Sequence, residues 1–334
     1  MKNNEIILLS IESSCDDTSA AIIKNGKCLS NIISTQEMHA AYGGVVPEVA
    51  SRSHLVQILP VVRKALVEAK ISLEDVDAIA FTKGPGLLGA LHVGVSFAKG
   101  LALVLDKPLI EVHHIQAHVL AHFLEDKTPS FPFLCLTVSG GHTQILLVKQ
   151  PLEMEVIGST IDDAAGEAFD KIGKLLGLGY PAGPEMDRRA ALGEVKFFFT
   201  EPKIDSFNFS FSGLKTNVLR FLEKELKQNP AFISENLNDL CASIQARIVS
   251  ILLHKIEAAS KFYKIKEVAI SGGVSANSGL RAAISANQHK KNWNVYIPKM
   301  SYCTDNAAMI GIVGHYKYIA KEFCDMTTQA EAKA

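Results

Sequence analysis

The chain has 334 residues, 48% hydrophobic and 21% charged, with 34 basic against 35 acidic side chains and a net charge of −1. This length suits roughly two domains of ~150 residues with a full hydrophobic core, which excludes a disulfide miniprotein. The charge balance excludes a disordered polyelectrolyte and a globally basic nucleic-acid coat, so a nucleic-acid partner needs a local patch or a helper subunit.

The N-terminus MKNNEIILLSIESSCDD has a short apolar run followed by acids and no small-residue cleavage site, so it reads as a strand and not a signal peptide. The 6 cysteines form no C-x-x-C pair and read as reduced thiols, which makes the expected location cytoplasmic. Ile6 to Ile11 predicts a strand, Glu12 to Asp17 a polar turn, and Thr18 to Ile23 a second strand ending in the hairpin signal Asn25-Gly26. A helix is expected over His54 to Ala69, a strand over Ala78 to Phe81, a helix over Leu87 to Leu105 and a strand over Pro108 to Val112. The apolar stretch Leu87 to Leu105 carries His92, Ser96 and Lys99, which a bilayer centre penalises, so it reads as a buried helix and no membrane partner is expected.

The opening grammar then returns. Phe133 to Val138 predicts a strand, Ser139-Gly140-Gly141-His142 a turn, and Thr143 to Val148 a strand. Helices follow near Asp163 to Leu176 and Leu237 to Ser260, then a strand Val268 to Ile270, a glycine-rich turn, a helix from Ser278 and a strand Asn294 to Ile297. A duplicated α/β unit predicts two lobes with a ligand cleft where strand ends and helix N-termini converge; two unrelated α/β domains in tandem are the alternative. Glu125 to Pro132 is the candidate hinge, and the tail from Thr327 is expected to fray.

The most pointed chemical signal is His113-His114-Ile115-Gln116-Ala117-His118. On a helix His114 and His118 face the same way and can share a transition-metal ion, although with His122 they could equally form a solvated stripe. A metallopeptidase of the H-E-x-x-H type needs glutamate where this chain has Ile115, so the general base is missing. Asp305 offers a third ligand from a small-residue turn, or an N-cap for the helix that follows.

Lys83-Gly84-Pro85-Gly86, Ser139-Gly140-Gly141 and Ser271-Gly272-Gly273 are turns whose backbone N–H groups could cradle phosphate. Gly84 to Gly89 also satisfies G-x-G-x-x-G with Glu111 downstream, which keeps an NAD-dependent dehydrogenase as a rival that leaves the histidines unused. The acids Asp163, Glu167 and Asp170 share a helical face that is ordinarily solvated surface, but Asp170 and Asp187 could also accept from ribose hydroxyls. Phe207 to Thr216 alternates aromatic and small polar residues and reads as a half-buried strand delivering Lys215.

Taken in order, SIESSCDDTSAAI, KGPGLLGALHVG, Lys99 to Val119 with its H-x-x-A-H ending, TVSGGHTQ, IDDAAGEAFDK, GYPAGP, FSFSGLKT, AISGGVSAN and CTDNAAMIG resemble the tRNA threonylcarbamoyl transferase family over about residues 5 to 325. The resemblance implies the duplicated two-lobed fold of actin, sugar kinases and heat-shock ATPases (ASKHA, RNase H-like). Its N-terminal lobe would span 1–112 with a return at about 308–330, and its C-terminal lobe 113–307 would carry the substrate and metal motifs. It implies transfer of threonylcarbamoyl from threonylcarbamoyl-AMP to the N6 amine of the adenosine 3′-adjacent to the anticodon, in tRNAs reading codons that begin with A.

By motif, His114, His118 and Asp305 correspond to ligands of one divalent metal, iron(II) being expected and zinc the alternative. Thr137, Val138, Ser139, Gly140 and Gly141, with Asp170, Gly183, Asp187 and Asn277, correspond to the adenylate-binding positions, and Asp16 to a carboxylate the family needs for activity. The archaeal and eukaryotic branch has a tyrosine where this chain has Thr137, which leaves the fourth metal position to substrate oxygens. The family's bacterial members act with an inactive paralogous TsaB-type subunit, docked on the N-terminal lobe, and a TsaE-type ATPase. A small-molecule kinase on the same fold would share the glycine turns but not explain the paired histidines, and a non-catalytic subunit would lack them.

Overall fold

The computed structural model describes residues 5–202 and 204–333, which form two compact units, Met1–Thr128 with Pro298–Ala334, and Pro129–Ile297. In the first unit, β1 (Ile7–Glu12) is buried at every position, as a strand covered on both faces must be. It pairs antiparallel with β2 (Asp17–Lys24), which pairs antiparallel with β3 (Lys27–Thr35). Asn25 and Gly26 join them at φ of 51° and 77°, the left-handed pair that a tight hairpin demands. After the short α1 (His39–Tyr42), α2 (Pro47–Ala69) starts on a proline whose missing N–H costs nothing at a helix start. Then come β4 (Ala78–Gly84), α3 (Leu88–Leu105), β5 (Leu109–His113) and α4 (His114–Leu120). The sheet order is β3-β2-β1-β4-β5, with β4 parallel to both β1 and β5.

The second unit repeats this plan. β6 (Phe133–Val138), β7 (Thr143–Gln150) and β8 (Glu153–Ser159) form the antiparallel meander. The helices are α5 (Ala165–Leu175), α6 (Ala182–Ala190), α7 (Ser212–Gln228) and α8 (Phe232–Tyr263). β9 (Glu267–Ser271), α9 (Ser278–Lys290) and β10 (Asn294–Tyr296) complete it. The order β10-β9-β6-β7-β8, with β9 parallel to β6 and β10, reproduces the first sheet strand for strand. The duplication expected from the repeated opening is therefore a duplication of topology. The chain finally returns to the first unit as α10 (Ala307–Ala320), whose buried face packs on β1 and β2.

Several expectations change. Contacts divide the chain inside the predicted hinge, between Thr128 and Pro129, and again before Pro298, so residues 113–128 and 298–307 belong to the first unit and not to the second lobe. The physical cause is that β5 runs directly into α4, and α4 packs on α10. Phe207 to Phe211 makes only an isolated bridge from Phe209 to Thr160, and Lys215 lies in α7. Asp162 takes bonds from the Ser210 and Ser212 hydroxyls and from the Phe211 and Ser212 N–H groups, which starts a helix where alternation suggested a strand. The tail is tied down, because Glu331 N donates to Lys83 O at 2.9 Å and its carboxylate pairs with Lys83 at 3.1 Å. α3 is long and apolar enough to cross a membrane by composition, but it packs one face on β4 and α2 and exposes Leu103 and Val104.

Candidate functional site

His113 ends β5, and its Nδ1 accepts from the N–H groups of Ile115 and Gln116 at 3.2 and 3.5 Å, capping α4 one residue before His114. His114 and His118 then stand one turn apart, their rings edge to face with centroids 4.7 Å apart. With His122 they are buried, so the solvated-stripe reading fails. Asp305 Oδ1 lies 3.4 Å from His114 Nε2 and 3.1 Å from His118 Nε2, and one donor atom from each residue falls within 4.8 Å of the others. Asn306 is the cap of α10, accepting from Met309 N at 3.1 Å, which relieves Asp305 of that duty.

Burial works against a charge on His114, but the carboxylates of Asp305 and Glu12 overrule it and raise its pKa to about 10. Burial would likewise raise Asp305; the charge of His114 and the hydrogen bonds from both imidazoles hold it well below the usual carboxylate range instead. A half-buried carboxylate between two buried imidazole nitrogens, with no lysine or arginine paired to it among the described residues, is a donor set that fits a divalent cation. Two nitrogens and one oxygen suit iron(II) or zinc and leave coordination positions for a ligand.

Behind His114 lies a residue that sequence reasoning missed. Glu12 is fully buried at the end of β1, and its Oε2 accepts from His114 Nδ1 at 3.0 Å and from Thr82 Oγ1 at 2.8 Å. The available signal was a lone charge closing a continuous apolar strand, which needs a partner. In the next turn Asp16 and Asp17 are half-buried. Burial, offset in part by a bond from Thr35 and reinforced by Asp305, Asp16 and Glu12, raises Asp17 to about 7. This acidic turn adds negative potential, which also suits a cation.

The G-x-G-x-x-G match is explained by packing. A Cβ on Gly84 would stand 2.0 Å from Glu331 O, on Gly86 2.5 Å from Ser14 O, and on Gly89 2.4 Å from Ser51 Oγ. These glycines admit protein atoms where a dinucleotide would need space, which removes the dehydrogenase reading.

The second unit gathers the remaining predicted residues. Thr137, next to last in β6, has its hydroxyl 2.9 Å from that of Ser271, the last residue of β9, and Val138 O lies against Gly272, whose φ of 83° permits the approach. Gly166 N donates to Ser139 O at 3.2 Å, bringing the start of α5 onto the Ser139 to His142 turn. A Cβ on Gly140 or Gly141 would meet nothing within 4 Å, so this turn borders open space. Asp170 Oδ1 accepts from Ala182 and Gly183 N–H at 2.8 and 3.3 Å, capping α6. Asp187 accepts from Ser278 N and Oγ at 2.9 and 2.7 Å, and Asn277 caps α9 by accepting from Leu280 N at 2.9 Å. A turn, three helix starts and three polar side chains are thus linked by these bonds. Asp163 precedes α5 and pairs with Lys171, as does Glu167, so these two acids are surface charges.

Residues 27–312 match the family described as TsaD: tRNA N6-adenosine threonylcarbamoyltransferase. The protein of that name from Riemerella anatipestifer is 58% identical over 331 residues, covering 98% of this chain and 97% of the relative. The chain belongs to the TsaD family. A relative of the same name from Porphyromonas gingivalis is 56% identical over 96% of each chain. Among solved structures, full-length HypF in its phosphate- and nucleotide-bound form aligns with a TM-score of 0.62 at 15% identity, covering 98% of this chain and 47% of that one. Component A of the Acidaminococcus fermentans (R)-2-hydroxyglutaryl-CoA dehydratase aligns at 0.55 and 17% identity over 94% and 99%. At such identity these structures speak for the fold alone, and they place this TsaD-family chain in the duplicated α/β class.

Proposed function

We propose that this chain transfers the threonylcarbamoyl group of threonylcarbamoyl-AMP to the N6 amine of the adenosine following the anticodon in tRNAs that read codons beginning with A. The observation that carries the reading is the convergence of two buried histidines, His114 and His118, on the half-buried Asp305 in a TsaD-family chain. A small-molecule kinase has no use for it.

In this reading the Gly140 and Gly141 N–H groups approach the phosphate, and Asp170, Asp187 and Asn277 fix the nucleoside. Asp170 and Asp187 keep lone pairs for ribose hydroxyls beyond those spent on backbone and Ser278. When bound to His114, His118 and Asp305, a divalent metal, iron(II) or alternatively zinc, supplies Lewis-acid polarisation of substrate oxygens. Asp16 supplies the carboxylate required in the acidic turn. The adenosine amine attacks the carbamoyl carbon, AMP leaves with the electron pair, and the amine loses a proton. No side-chain nucleophile is needed.

The partners in this reading are a TsaB-type subunit and a TsaE-type ATPase, in a cytoplasm that suits six cysteines held as thiols and not as disulfides. α2 exposes Leu55, Val56 and Leu59, and α3 exposes Leu103 and Val104, apolar surface that favours a docked protein. The net charge of −1 favours shared tRNA binding over unaided binding.

The test is to combine purified chain, threonylcarbamoyl-AMP, unmodified tRNA and the two partners, then analyse digested nucleosides by mass spectrometry. Threonylcarbamoyladenosine that depends on this chain is expected; its absence under every combination overturns the reading.

A further inference from the structure

His114 and His118 differ in how their second ring nitrogens are treated. His118 Nδ1 is buried and has no hydrogen-bond partner. His114 Nδ1 lies 3.0 Å from a carboxylate oxygen of Glu12, which is itself fully buried. Both oxygens of that carboxylate are tied, Oε1 by Ser14 N and Oε2 by Thr82 Oγ1 at 2.8 Å together with the imidazole. A carboxylate held this firmly cannot rotate to follow the ring, so the ring must follow it.

We infer that Glu12 is the positioning residue of the metal centre, fixing the His114 tautomer with its proton on Nδ1 so that Nε2 is delivered as a ligand towards His118 and Asp305. The inference rests on the reading of His114, His118 and Asp305 as a metal site. Glu12 touches neither substrate nor metal; it acts through His114. A carboxylate behind a ligating imidazole orients the ring and strengthens its donor nitrogen, and losing such a partner typically costs 10–100-fold in metal affinity. Glu12 also adds a second negative charge beside Asp305, which together match the charge of a divalent cation.

Two neighbouring hydroxyls compete for these duties. The Ser14 hydroxyl lies 3.2 Å from the same His114 nitrogen and could be the orienting group. Through the Thr82 hydroxyl, Glu12 could instead serve only the packing of β1 against β4, a structural duty indifferent to metal.

The experiment measures zinc and iron(II) affinity by competition with a chromophoric chelator, together with the unfolding midpoint of the metal-free protein and the visible spectrum of its cobalt(II) form. Glu12→Gln is expected to weaken metal binding ~10–100-fold and shift the cobalt spectrum. Thr82→Val keeps the carboxylate but lets it turn, so affinity falls severalfold; Ser14→Ala stays within twofold of wild type. Should Glu12→Gln not fold, Thr82→Val at wild-type affinity overturns the inference. Glu12→Gln binding metal as tightly as wild type overturns it, as does a loss in Ser14→Ala equal to that in Glu12→Gln. Wild-type protein that binds no metal overturns the site reading beneath it.

Discussion

His54 Nε2 donates to the carbonyl of Cys15 at 2.9 Å, while its Nδ1 accepts from Thr18 Oγ1 at 2.7 Å. A fully buried imidazole on α2 therefore pins both sides of the turn that carries Asp16 and Asp17. Those two bonds fix the neutral tautomer, and burial lowers its pKa.

His54→Ala removes that pin and leaves the part-buried Cys15 carbonyl and the buried Thr18 hydroxyl without this partner, a cost of ~1–3 kcal/mol. Transfer activity is expected to fall by more than the loss of folded protein explains, while metal content is retained. Activity of the folded fraction at wild-type level would show that the turn holds itself.

Gly140→Val is expected to leave the unfolding midpoint within ~1 °C, because nothing stands within 4 Å of the new Cβ, and to abolish adenylate binding. Gly166→Val is the contrast: its Cβ would stand 2.5 Å from Ser139 O, so it should damage the fold itself. Calorimetric titration with AMP, paired with thermal melts, separates the two.

Replacing His114 and His118 together by alanine is expected to abolish stoichiometric metal in elemental analysis while far-UV circular dichroism stays unchanged. Metal retained at the wild-type ratio would show that the triad is not the metal site.

Asp17 gives a pH signature. Its folded pKa is raised from 3.8 to about 7, so between those values the folded state holds a proton that the unfolded state has released. Stability from this group is present at low pH and is lost as pH rises through that window. Asp17→Asn should therefore raise the midpoint of the metal-free protein at pH 8 and lose that advantage towards pH 4. A pH-independent difference would show that Asp17 ionises normally.

Leu55→Glu with Leu59→Glu, on the exposed face of α2, is expected to leave the isolated chain's midpoint within ~2 °C and to abolish stimulation by the TsaB-type subunit. Gel filtration of the mixed proteins reads the docking directly.

What could be read without coordinates was what local chemistry dictates. Apolar strands, the Asn25-Gly26 hairpin, the repeated strand-turn-strand opening and the spacing of His114 and His118 each follow from neighbours a few residues apart, so the duplicated α/β plan and the pairing of the two imidazoles were legible. What only the tertiary structure decided depends on partners distant in sequence. Glu12 meets His114 across 102 positions, and Asp305 meets His118 across 187. The same distance effect reassigned α4 to the first unit, drew Asp305 to the histidines so that its neighbour Asn306 caps α10, and turned the Gly84 to Gly89 fingerprint into close packing against Glu331, Ser14 and Ser51. A glycine makes room in a sequence; only the fold determines whether that room is filled by protein, as at Gly84, or left open, as at Gly140.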